Sequence, residues 1–419
     1  MADREVDVLV IGAGPSGLAA AIELKALGVR SVLVVDREAV AGGVPRHCDH
    51  TGFGLRDLRR VLSGPAYARR YVETAERAGV EIRTRVTVTD WLGDRRVRTT
   101  SPGGIDEIRA RAVILATGCR ERPRAARLVP GDRPEGIFTT GSLQRFIHDH
   151  GHPIGERALV VGAEHVSYSA AHTLRLAGVP VAGMVTDLPR HQSFALFIRI
   201  AKGLGSFPLY TNFQVTNIAG KGRVEAVEIT NTAAGETREI ACDTVVFTGD
   251  WIPDREVARK AGLPLDPGTR GPAVDGRLRT ASEGVFATGN LVHPGETADT
   301  AALGGRAAAR AAADYLRSER WRPEGGIRFD FDPELVQWVA PNVIDPGEAA
   351  LPGARFILRV ARVLEGPTLE VRQGERLLWR RRYRRLVPNL PYALPAAILE
   401  GLDPEGGAVR IGVAGEAAA

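Results

Sequence analysis

The chain has 419 residues, with 55 Lys and Arg against 50 Asp and Glu, for a net charge of +5. At roughly 100–200 residues per domain this length predicts two to four domains. A composition of 44% hydrophobic and 25% charged residues rules out disordered and fibrous architectures. Cys48, Cys119 and Cys242 lie far apart, which rules out a disulfide scaffold, a local zinc knuckle and a paired-cysteine redox motif, and fits a reducing cytoplasm. No apolar run approaches the ~18–20 residues of a membrane span, and Asp3, Arg4, Glu5 and Asp7 interrupt any signal-peptide core. A cytoplasmic protein with no integral membrane segment is expected.

Val6 to Ile11 reads as a short apolar strand, Leu18 to Leu27 as an Ala- and Leu-rich helix ended by Gly28, and Ser31 to Asp36 as a second strand. Between the first strand and the helix stands Gly12-Ala13-Gly14-Pro15-Ser16-Gly17, a GxGxxG turn, with Asp36 about 20 residues further on. Each part has a physical task. Gly12 permits the tight turn, Gly14 lets the backbone approach a pyrophosphate, and Gly17 lets helix and strand pack closely. The helix N-terminus offers free N–H groups to the anion, and Asp36 ends its strand where a ribose hydroxyl would lie. The order strand, turn, helix, strand, acid predicts a dinucleotide site; the alternative is a purely structural glycine turn.

After Asp36-Arg37-Glu38 comes the pair Gly42-Gly43, then a stretch holding His47, Cys48, Asp49 and His50. All four types can bind a metal, but adjacent residues splay their side chains, so no metal site is expected. Polar lining of a ligand cavity is the reading preferred here. Ala112 to Leu115 forms an apolar strand closing in Ala116-Thr117-Gly118, and Cys119 follows as a small buried residue beside a hinge. A second module opens at Ala158 to Val161. Here Gly162-Ala163-Glu164-His165-Val166-Ser167 stands in the phosphate-turn position, Ala170 to Ala177 reads as helix, and Val181 to Val185 reads as strand. Only one of the three glycines is present. Glu164 puts a negative charge where a pyrophosphate would approach, yet a carboxylate at a helix N-terminus is itself stable and can cap the free N–H groups. Either a nicotinamide nucleotide binds weakly here or the domain is a scaffold with its site closed. Arg190 and His191, beyond Asp187, would touch a 2′-phosphate in a working site.

Gly284 to Asn290 repeats the strand-then-glycine theme, and an Ala-rich helix runs from about Thr300 to Leu316. Beyond Trp321 the character changes. Arg355 to Val363 and Thr368 to Arg382 read as strands with a turn at Gly374, and Pro388 to Pro395 reads as loop. The run Arg380, Arg381, Arg382, Arg384, Arg385 around Tyr383 reads as a solvated strand face or a partner surface, with no nucleic acid expected.

Taken in order, the GxGxxG turn, Asp36, Gly42-Gly43, the strand ending in Ala116-Thr117-Gly118, and Gly289-Asn290 resemble the FAD/NAD(P)-dependent flavoproteins of the pyridine nucleotide-disulfide oxidoreductase superfamily. Asn290 stands where that family usually has Asp. The resemblance implies an α/β fold with two Rossmann-like dinucleotide-binding domains, the second inserted into the first. It assigns 1–125 and 270–320 to an FAD domain and 150–255 to an NAD(P)-like insert, leaving 325–419 as a small β-containing domain. It implies FAD as cofactor, with NAD(P)H as a donor to be tested. It implies FAD contacts from Gly12, Gly14, Pro15, Ser16, Gly17, Asp36, Arg37, Gly42, Gly43, Thr117, Gly118, Gly289 and Asn290, and from Thr297 and Ala298 at the start of the Ala-rich helix.

The stretches 119–124 and 139–144 resemble one branch, and 52–55 and 62–68 resemble its glycerol-3-phosphate-associated members in particular. That branch holds FAD subunits of amino-acid, hydroxyproline and opine dehydrogenases and flavoproteins that accompany glycerol-3-phosphate dehydrogenases. A partner dehydrogenase subunit, or a small-molecule substrate or acceptor, is the implied partner. A dithiol relay near the flavin is unavailable, because the loop after Gly43 carries one cysteine. The catalytic candidates are Cys48, provided its pKa is lowered by Arg46 or a histidine, and His50. Three functions remain open at this point: a free-standing NAD(P)H-linked enzyme, an electron-relay subunit, and a non-catalytic FAD-binding scaffold.

Overall fold

The computed structural model describes residues 3–194, 207–321, 325–347, 351 and 355–414. Among these, the helices in chain order are α1 (Pro15–Ala26), α2 (Gly64–Arg77), α3 (Thr140–His148), α4 (His165–Leu176), α5 (Glu256–Lys260) and α6 (Ala298–Ser318). The chain divides into two compact units. One comprises Met1–Arg46, Thr51–Cys119 and Pro253–Ala419; the other comprises His47–His50 and Arg120–Ile252.

The first unit is built on a sheet in which Glu81–Arg83, Val32–Val35, Asp3–Ile11, Gly104–Leu115 and Val285–Ala287 run parallel. Arg96–Ser101 and Thr87–Trp91 extend it antiparallel. Strands covered on both faces need continuous apolar runs, and Val8 to Val10 and Val113 to Leu115 are wholly buried. The sequence places small residues where helices meet this sheet. A Cβ on Gly305 of α6 would fall 2.0 Å from Ser16 O, so α1 and α6 touch backbone to backbone. α1 ends at Gly28, whose φ of +85° is open to glycine at no steric cost.

The second unit carries a five-stranded parallel sheet in the order Ile137–Thr139, Thr244–Phe247, Ala158–Val161, Val181–Thr186, Leu209–Thr211. A three-stranded antiparallel sheet (Phe213–Ala219, Ala226–Asn231, Thr237–Ala241) accompanies it. α4 begins at His165, five residues before the Ala170 start expected from the sequence. The Glu164 amide donates to Ser167 Oγ at 3.1 Å, and this contact starts the helix early.

The C-terminal segment belongs to the first unit but has its own apolar core around Val336, Phe356, Leu358, Val360, Leu369, Val371, Leu394 and Ile411. Five strands lie in the order Val343–Ile344, Ile327–Phe331, Val409–Val413, Thr368–Gln373, Arg376–Arg382; three more lie in the order Val336–Ala340, Arg355–Val360, Tyr392–Pro395. The last of these corrects the expected loop over Pro388 to Pro395. Tyr392–Pro395 is an edge strand paired to residues 355–358, a position where proline costs no ladder hydrogen bond. The arginine run lies on the outermost strand, where Arg380, Arg381 and Arg382 are exposed. The fold is thus α/β with two Rossmann-like sheets and a β-rich C-terminal region. No helix among the described residues is long and apolar enough to cross a membrane.

Candidate functional site

The turn between Ile11 and α1 is shaped by backbone contacts that only glycine allows. A Cβ on Gly12 (φ +112°) would sit 2.3 Å from Ala116 O, and one on Gly17 would sit 1.8 Å from Gly12 O. Gly14 is different. A Cβ there meets nothing closer than Gly43 Cα at 3.9 Å, so its bareness leaves backbone open rather than relieving a clash. Gly14 is the N-cap of α1, Pro15 follows, and no side chain caps this helix end. The donors of Ser16 and Gly17 and the dipole of α1 are therefore presented to an anion.

Around this turn the other expected residues assemble within the first unit. Gly42 N donates to Ala13 O at 2.8 Å, and a Cβ on Gly43 (φ +66°) would fall 2.8 Å from Gly14 Cα. The glycine pair thus lies against the phosphate turn. Asp36 accepts from Ala13 N at 2.6 Å and Glu38 N at 2.8 Å, one bond to each oxygen. A carboxylate has about four acceptor sites, so both oxygens retain capacity for ribose hydroxyls. Ser16 is buried and its hydroxyl donates to Thr288 Oγ1 at 3.3 Å, while a Cβ on Gly289 would fall 2.7 Å from Ser16 Cβ. Thr297 caps α6 by accepting from Thr300 N at 3.3 Å, and Ala298 is the first helical residue. These residues fit a dinucleotide: an uncapped helix end, bare backbone at the turn and an acid at the end of the next strand.

Three expected contacts are already engaged within the protein. Arg37 pairs with Asp254 at 2.9 Å. Thr117 Oγ1 donates to Asp254 O at 2.6 Å, beside Gly118 at φ +77°. Asn290 closes a clasp on Glu296, donating from Nδ2 to Glu296 O at 3.1 Å and accepting from Glu296 N at 3.2 Å. Sequence reasoning also missed two acids. Asp299 accepts from Gly54 N at 2.8 Å and Arg56 N at 2.7 Å, and so fixes the loop after Phe53. Asp57 accepts from the hydroxyls of Tyr67 and Tyr71, at 2.7 and 2.6 Å. The spacing of Tyr67 and Tyr71, four apart on one helix face, was the available signal for the second.

The corresponding turn of the second unit is filled by its own side chain. Glu164, the N-cap of α4, is buried, and its Oε2 accepts from Ala163 N at 3.0 Å. A Cβ on Gly162 would lie 2.8 Å from Oε2, and one on Gly249 would lie 2.5 Å from Oε1. The carboxylate therefore covers the ends of two parallel strands, the crevice where ligands enter such sheets. Oε1 has no hydrogen-bond partner among the described residues. Burial pushes the Glu164 carboxyl above the usual range, against hydrogen bonds from Thr248 and its own backbone and the pull of Arg127. Gln192 pins the turn from outside, its amide donating to Ala163 O at 2.8 Å and its Nε2 to Arg190 O at 2.6 Å. Glu121 does the same for α3, accepting from Thr140 N at 3.2 Å and Gly141 N at 2.8 Å.

The conditions set for a reactive Cys48 are not met. Its thiol is buried and donates to Gln144 Oε1 at 3.4 Å. Burial first, then the charges of Glu121 and Asp49, push its pKa up to about 12, so at neutral pH it is a thiol. Asp49 pairs with His148 Nδ1 at 2.8 Å, and His50 is half-buried in the same segment. Cys119 is partly exposed, not buried as expected, because it opens the short strand Cys119–Glu121 where the chain leaves the first unit. Among the described residues no group of three or more His, Cys, Asp or Glu could hold a metal ion.

The sequence profile of the pyridine nucleotide-disulphide oxidoreductases matches residues 6–305. The chain belongs to this family. Members are flavin-dependent, NAD(P)-linked oxidoreductases, and FAD is the cofactor that the cradle at α1 fits. A ferredoxin–NADP reductase of Ignicoccus hospitalis is 28% identical over 75% of this chain and 99% of its own length. An opine oxidase subunit from Agrobacterium tumefaciens is 27% identical over 74% of this chain and 66% of its own length. The crystal structure of T. acidophilum thioredoxin reductase superposes with a TM-score of 0.64 at 24% identity, covering 75% of this chain and all of that one, a likeness of fold. The family match stops at 305, so the C-terminal β-region lies outside it.

Proposed function

We propose that this chain is an FAD-dependent oxidoreductase that moves two electrons as a hydride equivalent and uses no cysteine pair. The observation that carries this reading is the contrast between its two phosphate turns. The end of α1 is bare and uncapped, while the end of α4 is covered by Glu164. FAD, when bound, supplies the two-electron chemistry; the protein supplies position and charge. Ser16 and Gly17 N–H groups would hold the pyrophosphate and Asp36 the ribose. The α6 N-terminus, capped by Thr297, would favour negative charge on the reduced flavin ring. With Cys48 held as a neutral thiol, hydride would pass to or from the flavin directly.

Glu164 favours a second reading of the same chemistry, an electron-relay subunit fed by a partner dehydrogenase. A nicotinamide nucleotide would have to displace a buried carboxylate and bring its own negative charge to the same helix end. The similarity to an opine oxidase subunit supports this reading. Anaerobic stopped-flow mixing of the holoprotein with NADH and with NADPH, following flavin absorbance, tests both. Fast bleaching supports the free-standing NAD(P)H-linked enzyme. Bleaching by dithionite but by neither nucleotide supports the relay. A purified protein that carries no flavin and takes up none overturns both.

A further inference from the structure

The C-terminal β-region reaches the segment just before α6 through one buried arginine. Arg359 lies on the strand Arg355–Val360, opposite Trp338 in the neighbouring strand. Its side chain is 4% exposed, and its Nη2 donates to Glu296 Oε1 at 2.7 Å and to Gly295 O at 2.8 Å. The guanidinium lies 5.2 Å from the centre of the Trp338 ring, and its Nε has no partner among the described residues. Glu296 is 2% exposed and has no other cation against it among the described ion pairs.

From Glu296 the contacts run to the phosphate turn without a break. The clasp of Asn290 fixes the Glu296 backbone, Gly289 lies against Ser16, and Ser16 is a first-turn residue of α1. Thr297, the next residue after Glu296, caps α6. The seam is closed at two further points. Val274 N donates to Asn342 Oδ1 at 2.8 Å, and Arg279 bridges Asp275 and Asp345, at 2.7 Å each. A buried carboxylate one residue ahead of a helix N-cap must be neutralised to keep its place, and Arg359 neutralises it.

We propose that Arg359 is a positioning residue of the FAD site, so that the C-terminal β-region and the flavin stabilise each other. The inference rests on FAD binding at the α1 cradle. If Arg359 holds residues 289–297 in the shape the cofactor needs, linkage requires the reverse as well: bound FAD must steady the strands that carry Arg359 and Trp338.

The test is hydrogen exchange by mass spectrometry on the full chain, with its flavin and after flavin removal, together with FAD titration of the apoprotein. FAD is expected to slow exchange in Val336–Ala340 and Arg355–Val360 as well as at α1. In Arg359→Met, FAD affinity is expected to fall about tenfold, within the usual range of such couplings. In the double variant Glu296→Gln/Arg359→Met the buried charge is gone and folding recovers, but affinity stays low because Gly295 O has lost its donor. Unchanged exchange in both strands on FAD binding, or a double variant that binds FAD like the wild type, would overturn the proposal. Should Arg359→Met fail to fold, the wild-type exchange result and the double variant still decide. A wild-type chain that takes up no FAD would instead overturn the cofactor reading, a separate outcome.

Discussion

The carboxylate of Glu164 lies over Gly249, its Oε1 2.5 Å from where a β-carbon on that glycine would be. Side chain and bare backbone from two strand ends thus close one crevice, and the closing group occupies the place a pyrophosphate would take. Glu164→Gly would restore a GxG turn and take the buried side chain out of the crevice. Freeing the phosphate position of a buried side chain should raise flavin reduction by NADH or NADPH about tenfold, equivalent to about 1.4 kcal/mol. Stopped-flow bleaching of the variant against the wild type measures this directly. Equal rates would mean that Glu164 moves aside at little cost, and would end the closed-site reading.

Glu164 also sets a pH dependence of stability. Burial raises its carboxyl above the usual range, so the folded chain holds this proton more tightly than the unfolded chain does. Its favourable contribution is complete below the ordinary carboxylate pKa and is lost as pH rises through the raised value. Glu164→Gln cannot lose a proton. The stability difference, wild type minus variant, should therefore fall as pH rises above the ordinary carboxylate pKa of about 4.3. Urea unfolding across that range reads the slope, and a flat difference would remove Glu164 as its source. Glu121 is also raised by burial, and the Glu164 charge raises it further, so its part in the difference has the same sign.

The first Rossmann unit was legible because its signals are local. A GxGxxG turn, an acid at the end of the next strand and runs such as Val32–Val35 each depend on a few neighbouring residues. What was not legible depends on partners far along the chain. Asn290 read as a cofactor contact, but its amide is used on Glu296, and Glu296 in turn is held by an arginine 63 positions away. Asp299 carries no local signal of its role; it anchors a loop 245 residues upstream. Cys48 looked reactive beside Arg46, His47 and His50, yet its pKa is set by its burial and by Glu121. Glu164 was readable because helix N-termini attract carboxylates, a rule that needs no tertiary partner.

Cys48 should be chemically quiet in the folded protein. With its pKa pushed up to about 12, the thiolate fraction near neutral pH is on the order of 10⁻⁴ or less, and the sulfur is buried besides. Brief treatment with iodoacetamide at about pH 7.5, followed by peptide mass spectrometry, should leave Cys48 unmodified in the native chain and modified after denaturation. The oxidised flavin should likewise lack a long-wavelength thiolate charge-transfer band. Rapid native labelling would show that the thiolate is accessible and would return Cys48 to the catalytic candidates.

Gly14 and Gly17 of the first turn should fail in different ways. At Gly17 a methyl group would lie 1.8 Å from Gly12 O, a backbone atom with no room to move, so Gly17→Ala should cost about 3 kcal/mol or more of folding stability. At Gly14 the methyl group would meet only Gly43 Cα, at 3.9 Å, and the backbone there (φ −82°) suits alanine. Gly14→Ala should therefore fold with a loss of about 1 kcal/mol or less. The new methyl group would stand where the pyrophosphate approaches, so FAD affinity should fall by about tenfold or more. Urea unfolding of the two apoproteins and FAD titration of Gly14→Ala separate these effects. A Gly14→Ala chain that binds FAD like the wild type would show that the cofactor does not use this face of the turn, and the assignment of the cradle would fail with it.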